Sequence, residues 1–161
     1  MTRLPLLFLD IDGVLIPFGP GMTVGRRGRE EWQDGGNPQL AKVDRSLGDR
    51  LAALPCELVW ASAWMEEANE VVAPLLGLPA LPVTELPAED DAPLHWKTRA
   101  LVAAAGGRPF VWVDDEIGQL DRVWVARHHP GSALLHRVDP STGLTGRDLG
   151  LIGAWLRRFP A

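Results

Sequence analysis

The sequence predicts an α/β fold of three layers, a central mostly parallel sheet between two layers of helices, with only a minimal cap or flap. Three observations lead there. The apolar runs LLFL at 6–9, LVW at 58–60 and FVWV at 110–113 are continuous instead of alternating, the pattern of strands buried on both faces. Stretches with apolar residues at helical spacing separate these runs, the alternation that builds a parallel sheet with helical crossovers. Each run also leads into polar residues: Asp10 and Asp12, Ser62, and Asp114 with Asp115.

Taken in order, LLFLDI at 6–11 reads as the first buried strand. Residues 17–38 hold six glycines and three prolines without any period, so they read as a long loop or flap over the strand end. A helix is expected over 39–55, with Leu40, Val43, Leu47, Leu51 and Leu54 inward and Pro55 as its stop. A strand follows at 56–62, then a helix over 64–77 that faces inward through Val71, Val72, Leu75 and Leu76. Residues 78–86 read as a short Pro-marked strand or an extended connection. An Ala-rich helix spans 97–107 and ends at two glycines. The strand at 109–116 repeats the opening design, an apolar run ending in acids. RVWVAR at 122–127 and ALLHRV at 133–138 read as short strands. The last helix, over 145–159, turns Leu149, Ile152, Leu156 and Trp155 inward.

The chain has 161 residues, which fits one domain over 1–161 that can enclose a core without disulfides or a structural metal. A single cysteine, Cys56, excludes an intrachain disulfide and a thiolate zinc cluster. The opening apolar run is too short for a signal-peptide core or a membrane span, so the expected setting is cytoplasmic, with no membrane partner. A net charge of -5 gives no general attraction to nucleic acid or anionic lipid. Local basic enrichments remain at Arg26, Arg27 and Arg29, and at Arg122, Arg127, His128 and His129. The two histidines are neighbours that point apart in an extended segment, so they read as surface residues and not as a metal pair.

In an open α/β sheet, ligands bind beyond the carboxyl ends of the strands. Strands of one direction would bring Asp10, Asp12, Ser62, Asp114 and Asp115 to one rim. Four carboxylates there repel, and a hard divalent cation relieves that repulsion. Oxygen ligands without a Cys or His cluster suit Mg²⁺ in phosphate chemistry. Lys97 opens a helix near the same rim, where it is either an ordinary surface lysine or a fixed cation that holds a phosphate oxygen. Ser62 either caps the following helix or, with the backbone N–H groups of Ala63 and Trp64, binds an anion.

These residues, in this order, resemble the haloacid dehalogenase (HAD) superfamily of Mg²⁺-dependent aspartyl phosphohydrolases, whose fold is Rossmann-like. The first motif, an apolar strand and then Asp-x-Asp-Gly-x-Leu, is matched by Asp10-Ile11-Asp12-Gly13-Val14-Leu15. An apolar strand ending in Ser or Thr is matched at Ser62, the basic third motif at Lys97, and the acidic pair of the fourth at Asp114 and Asp115. HRVDPSTGLTGRDLGLIGAWL, at 136–156, also resembles the small domains of this superfamily found in RNA-repair contexts.

The resemblance implies a phosphomonoester hydrolase in which Asp10 is the nucleophile and Asp12 the acid and base. Ser62 and Lys97 bind phosphoryl oxygens. Metal ligands would be Asp10, the backbone carbonyl of Asp12, Asp115 directly and Asp114 through water. The second aspartate favours phosphoryl transfer over dehalogenation, which needs no protonated leaving oxygen. The intervals between motifs leave no room for a large cap, so the site is open, and the substrate is a phosphorylated small molecule or a nucleic-acid end. Gly13, Ala63 and Trp64 at the motifs are substrate-binding positions, and the flap itself adds Trp32 with Arg26, Arg27 and Arg29, three arginines half neutralised by Glu30 and Glu31 that read either as an ordinary solvated loop or as a phosphate-contacting lip. Among the seven tryptophans, Trp60 and Trp112 read as core, while Trp64 and Trp96 divide between core and rim. The competing reading is a HAD-fold regulatory or interaction module that binds metal with little turnover.

Overall fold

The structure, a computed structural model, describes residues 3–19 and 38–160. Among the described residues four parallel strands form the sheet: β1 (Leu6–Leu9), β2 (Glu57–Trp60), β3 (Phe110–Asp114) and β4 (Ala133–Arg137). Their spatial order is β2-β1-β3-β4, so β1 lies inside and the chain reverses its direction of winding there. Leu9 is in register with both Trp60 and Val113. The residues that follow, Asp10, Ala61 and Asp114, therefore leave these three strands at one level.

Side-chain alternation along β1 separates two apolar layers. Leu7 and Leu9 pack with α1 (Leu47–Ala52), α2 (Ala73–Leu76) and α5 (Gly146–Leu156), through Leu51, Leu76 and Ile152 among others. Leu6 and Phe8 face the other way, toward Leu101 and Ala105 of α3 (Thr98–Ala105) and Val125 of α4 (Gln119–His128). Every residue of β1 and β3 is buried, as continuous apolar runs require. The expected three-layer α/β architecture is present.

Four expectations change in detail. The segment 39–55 is not one helix: a 3₁₀ turn at Pro38–Lys42 stops before α1. Asp44 causes the break, because its Oδ1 accepts from both the Ser46 amide, at 3.0 Å, and the Ser46 hydroxyl, at 2.6 Å, a local turn that competes with helix. In 64–77 a π-helical turn, Ala68–Val72, precedes α2. Pro74 has no N–H to continue an α ladder, and the Ala73 amide bonds five residues back to Ala68.

Residues 78–86 are an extended connection joined to β2 at a single bridge, Trp60 to Val83. RVWVAR lies within α4 and is not a strand. Its β-branched residues favour a strand locally, but parallel β3 and β4 need a crossover between them, and that demand prevails. Asp121 starts this helix by accepting from the Gly118 amide at 2.9 Å. His128 is consequently the last helical residue, stacked on Trp124, and His129 is buried against Phe110, with its Nε2 3.0 Å from the Arg108 carbonyl. His129 is thus not the surface residue expected. Residues 20–37 lie outside the described residues, and with them most of the expected flap at 17–38, including Arg26, Arg27, Arg29 and Trp32.

Candidate active site

β1 ends with the Asp10 amide donating to the Val113 carbonyl at 3.1 Å, which pins Asp10 beside β3. The chain then turns sharply: Gly13 takes φ 76° and donates its N–H to the Ile16 carbonyl at 2.9 Å. A side chain at this position would be strained, and its Cβ would overlap the Asp115 carboxylate. Glycine therefore lets the loop after β1 and the end of β3 close on one another. Asp10, Asp114 and Asp115 each place a carboxylate oxygen within 4.8 Å of the other two. All three residues are buried.

Lys97 enters this cluster from the start of α3. Its Nζ donates to Asp114 Oδ2 at 2.8 Å and lies 3.1 Å from Asp10 Oδ1. Burial alone would lower the lysine pKa, but the Asp10 and Asp114 carboxylates hold it above its ordinary value. Asp114 is correspondingly held below the ordinary carboxylate value by Lys97, against the effect of its burial. Burial and the Asp114 charge push Asp10 well above the usual range. Asp115 is pushed up to about 8, first by burial and then by Asp114 and Glu116. Among the described residues, Lys97 bonds two of these three buried carboxylates, so the acids of the cluster outnumber its ammonium.

The donor set fits a hard divalent cation. It offers several carboxylate oxygens from two adjacent strand ends, with no thiol or imidazole in the group, the composition that suits Mg²⁺. Asp12 and Ala63 line the small cavity beside Lys97, with His95, Trp96 and Glu116. Its volume of 10 Å³ is room for about one water-sized sphere.

Asp12 is 4% exposed, and its carboxylate is met by the Trp64 indole N–H, at 3.2 Å from Oδ1 and 3.3 Å from Oδ2. Trp64 is 1% exposed, so it sits inside the molecule and not at a stacking rim. Ser62 Oγ accepts the Trp64 amide at 3.1 Å, capping a turn instead of a helix. Of the two alternatives for Ser62, the hydrogen bond seen is a capping one, made by a buried hydroxyl. Trp60 and Trp112 are fully buried, as their strand positions suggested.

The sequence family described as the HAD domain in Swiss Army Knife RNA repair proteins matches residues 6–149. The chain belongs to this HAD family. Two solved structures are similar along almost the whole HAD domain. The HAD domain of effector protein Lem4 from Legionella pneumophila has 12% identity and a TM-score of 0.56, covering 98% of this chain and 96% of its own. The inactive mutant of the same Lem4 domain has 12% identity and a TM-score of 0.57, covering 98% of this chain and 94% of its own. At that identity the likeness concerns the fold. No curated protein matches the sequence.

Two features of this HAD site were not anticipated from the sequence. His95 lines the cavity with its Nε2 4.0 Å from Asp114 Oδ1 and 3.7 Å from Glu116 Oε2, while its Nδ1 accepts the Lys97 amide at 3.1 Å. Its place two residues before Lys97 was the available signal, since a turn brings such neighbours together. The second is the Trp64 to Asp12 bond, which joins residues 52 positions apart and has no local signature. A larger groove of 1130 Å³, lined by Phe8, Val59, Leu86 and Ala104 among others, shares no residue with the acidic cavity.

Proposed function

We propose that this HAD domain is a Mg²⁺-dependent phosphomonoester hydrolase that works through an aspartyl-phosphate, with a phosphorylated nucleic-acid end or nucleotide as substrate. The observation that supports it most is the Lys97 ammonium bonded at once to Asp10 and Asp114, with Asp115 completing a buried three-carboxylate group. A structural ion pair needs one acid. The two others make sense as a site for a cation and for chemistry.

In this reading an Asp10 carboxylate oxygen attacks phosphorus while the bond from phosphorus to the leaving oxygen breaks. Asp12 gives its proton to that oxygen and then, as carboxylate, takes a proton from the water that displaces phosphate from Asp10. Lys97 remains charged throughout and binds a phosphoryl oxygen as charge shifts between groups. Ser62, with Ala63 and Gly13, shapes the loops against which the phosphoryl group rests. Asp10, the Asp12 carbonyl and Asp115 would hold Mg²⁺ directly. Asp114 is better placed for an indirect role, because one of its oxygens is taken by Lys97 and the other accepts the Glu116 amide at 3.0 Å. When bound, the cation neutralises phosphate charge and lowers repulsion toward the incoming carboxylate.

The family description, an HAD domain in RNA repair proteins, supports an RNA end as substrate, and the short intervals between the motifs, which leave no room for a large cap, suit a macromolecular terminus. Contacts from Arg26, Arg27, Arg29 and Trp32 belong to the same proposal. A cytoplasmic setting accords with the single thiol, Cys56, which is free and half-buried and whose pKa is pushed up to about 12, first by burial and then by Glu57. Among the described residues no helix is long and apolar enough to cross a membrane.

The test is phosphate release from 3′- and 5′-phosphorylated oligonucleotides, nucleotides and sugar phosphates, with Mg²⁺ and with EDTA. Release that needs Mg²⁺ and is lost in Asp10→Asn supports the proposal. No release from any substrate by a folded protein would favour the metal-binding regulatory module instead.

A further inference from the structure

We propose that Trp64 is a positioning residue for Asp12, its indole N–H holding the carboxylate where it exchanges protons with the leaving group and with water; this rests on the phosphatase reading above. Asp12 is buried, and a buried carboxylate is costly unless donors satisfy it. The Trp64 donor reaches both oxygens at nearly equal distance, a three-centre bond that anchors the carboxylate in place without committing either oxygen alone. Indole N–H only donates, so it takes no proton from Asp12. It orients the group and leaves the proton traffic to Asp12 itself.

The indole is held from its own backbone. The Trp64 amide donates to Ser62 Oγ, so the residue that follows β2 is fastened to the same loop as the candidate phosphate-binding serine. The next residue, Met65, has φ 51°, a left-handed conformation that is unfavourable for a residue with a side chain. Such backbone persists where surrounding contacts enforce it. Here the turn 62–65, closed by the Met65 amide on the Ser62 carbonyl at 3.1 Å, carries the indole to Asp12. Ser62 and Trp64 thereby couple the position of the phosphoryl group to that of the proton donor.

Trp64→Phe keeps an aromatic ring and removes the donor. Alkyl phosphates need a proton on the leaving oxygen, whereas aryl phosphates with a strongly acidic phenol do not. For the full-length variant with Mg²⁺, kcat/KM toward an alkyl phosphate should fall about tenfold, a part of the factor general acid catalysis supplies. Toward the activated aryl phosphate kcat/KM should stay at the parent value while kcat falls, because water activation by Asp12 is still impaired. An equal loss of kcat/KM for both substrates would mean a merely structural role and would overturn the inference. A second readout does not depend on turnover or on the folding of the Phe variant: the Trp64 indole proton resonance should move upfield and exchange faster in Asp12→Ala than in the parent. An unmoved resonance overturns the inference as well. Activity that survives in Asp10→Asn would instead sink the phosphatase reading, so the two failures are distinct.

Discussion

At the scale of single residues, the site is built from groups that oppose folding. Asp10 carries a carboxyl whose pKa is raised by burial and by the neighbouring Asp114, so its ionised form at neutral pH costs stability. A group of this sign contributes fully below its unfolded pKa and loses that contribution as pH rises toward the folded value. Asp10→Asn should therefore melt at a higher temperature than the parent in EDTA at pH 7, although it has lost the proposed nucleophile. The gap should narrow as pH falls toward the ordinary carboxylate range; a lower melting temperature at neutral pH would contradict this account of the charge balance. Lys97 shows the limit of reading one residue at a time. Its sequence context allowed a surface lysine, and only the register of β1 with β3, which sets Asp10 beside Asp114, reveals why it is buried and bonded twice. Trp64 is the reverse case, since a tryptophan beside a binding motif divides between core and rim until its burial and the Asp12 contact are known.

At the scale of elements, legibility followed burial. β1 and β3 are enclosed on both faces, and their uninterrupted apolar runs announced them. α4 was misread because Val123 and Val125 favour a strand, while the need for a crossover between parallel neighbours is not written in the segment itself. α5 was easier, for it carries an explicit start signal: Asp148 Oδ2 accepts the Thr145 amide at 2.7 Å and the Thr145 hydroxyl at 2.8 Å, and its Oδ1 lies 2.8 Å from His136 Nε2. Burial would raise the Asp148 pKa, but the His136 and Thr145 bonds prevail and lower it. Its contribution is then present above the unfolded value near 4 and is lost as pH falls through the lower folded value. Asp148→Ala should cost about 1–2 kcal/mol at pH 7, the scale of a helix cap with a charged partner. Denaturant melts of parent and variant should converge as pH falls from the ordinary carboxylate range through the lowered folded value; a difference that stays constant as pH falls would assign the loss to packing and not to the carboxylate.

At the scale of the whole molecule, one topological fact organises the site. With β1 between β2 and β3, three strand ends open at one level, and Asp10, Asp114, Asp115 and Lys97 meet beside the ends of β1 and β3. That convergence was legible from apolar runs ending in polar residues, whereas the tight partition of roles within the rim depends on side-chain distances that no sequence pattern encodes. Three carboxylates around one lysine leave the folded protein short of positive charge, so Mg²⁺ that binds only the native state should stabilise it by mass action, by about 2.7 kcal/mol at a hundredfold excess over Kd. A thermal scan with and without Mg²⁺ reads this directly, and a melting temperature unmoved by the ion would remove the cluster as a cation site.

Whether Asp10 forms a covalent bond to phosphorus is the most direct test of the central claim. Intact-mass measurement after rapid quenching, with an activated aryl phosphate and Mg²⁺, should find one added phosphoryl group on the Asp12→Asn variant, which still has the nucleophile but cannot activate water. The Asp10→Asn variant should carry none. Turnover by the parent with no phosphoryl adduct on Asp12→Asn, and continued turnover by Asp10→Asn, would contradict it and leave direct attack by water as the chemistry of this site.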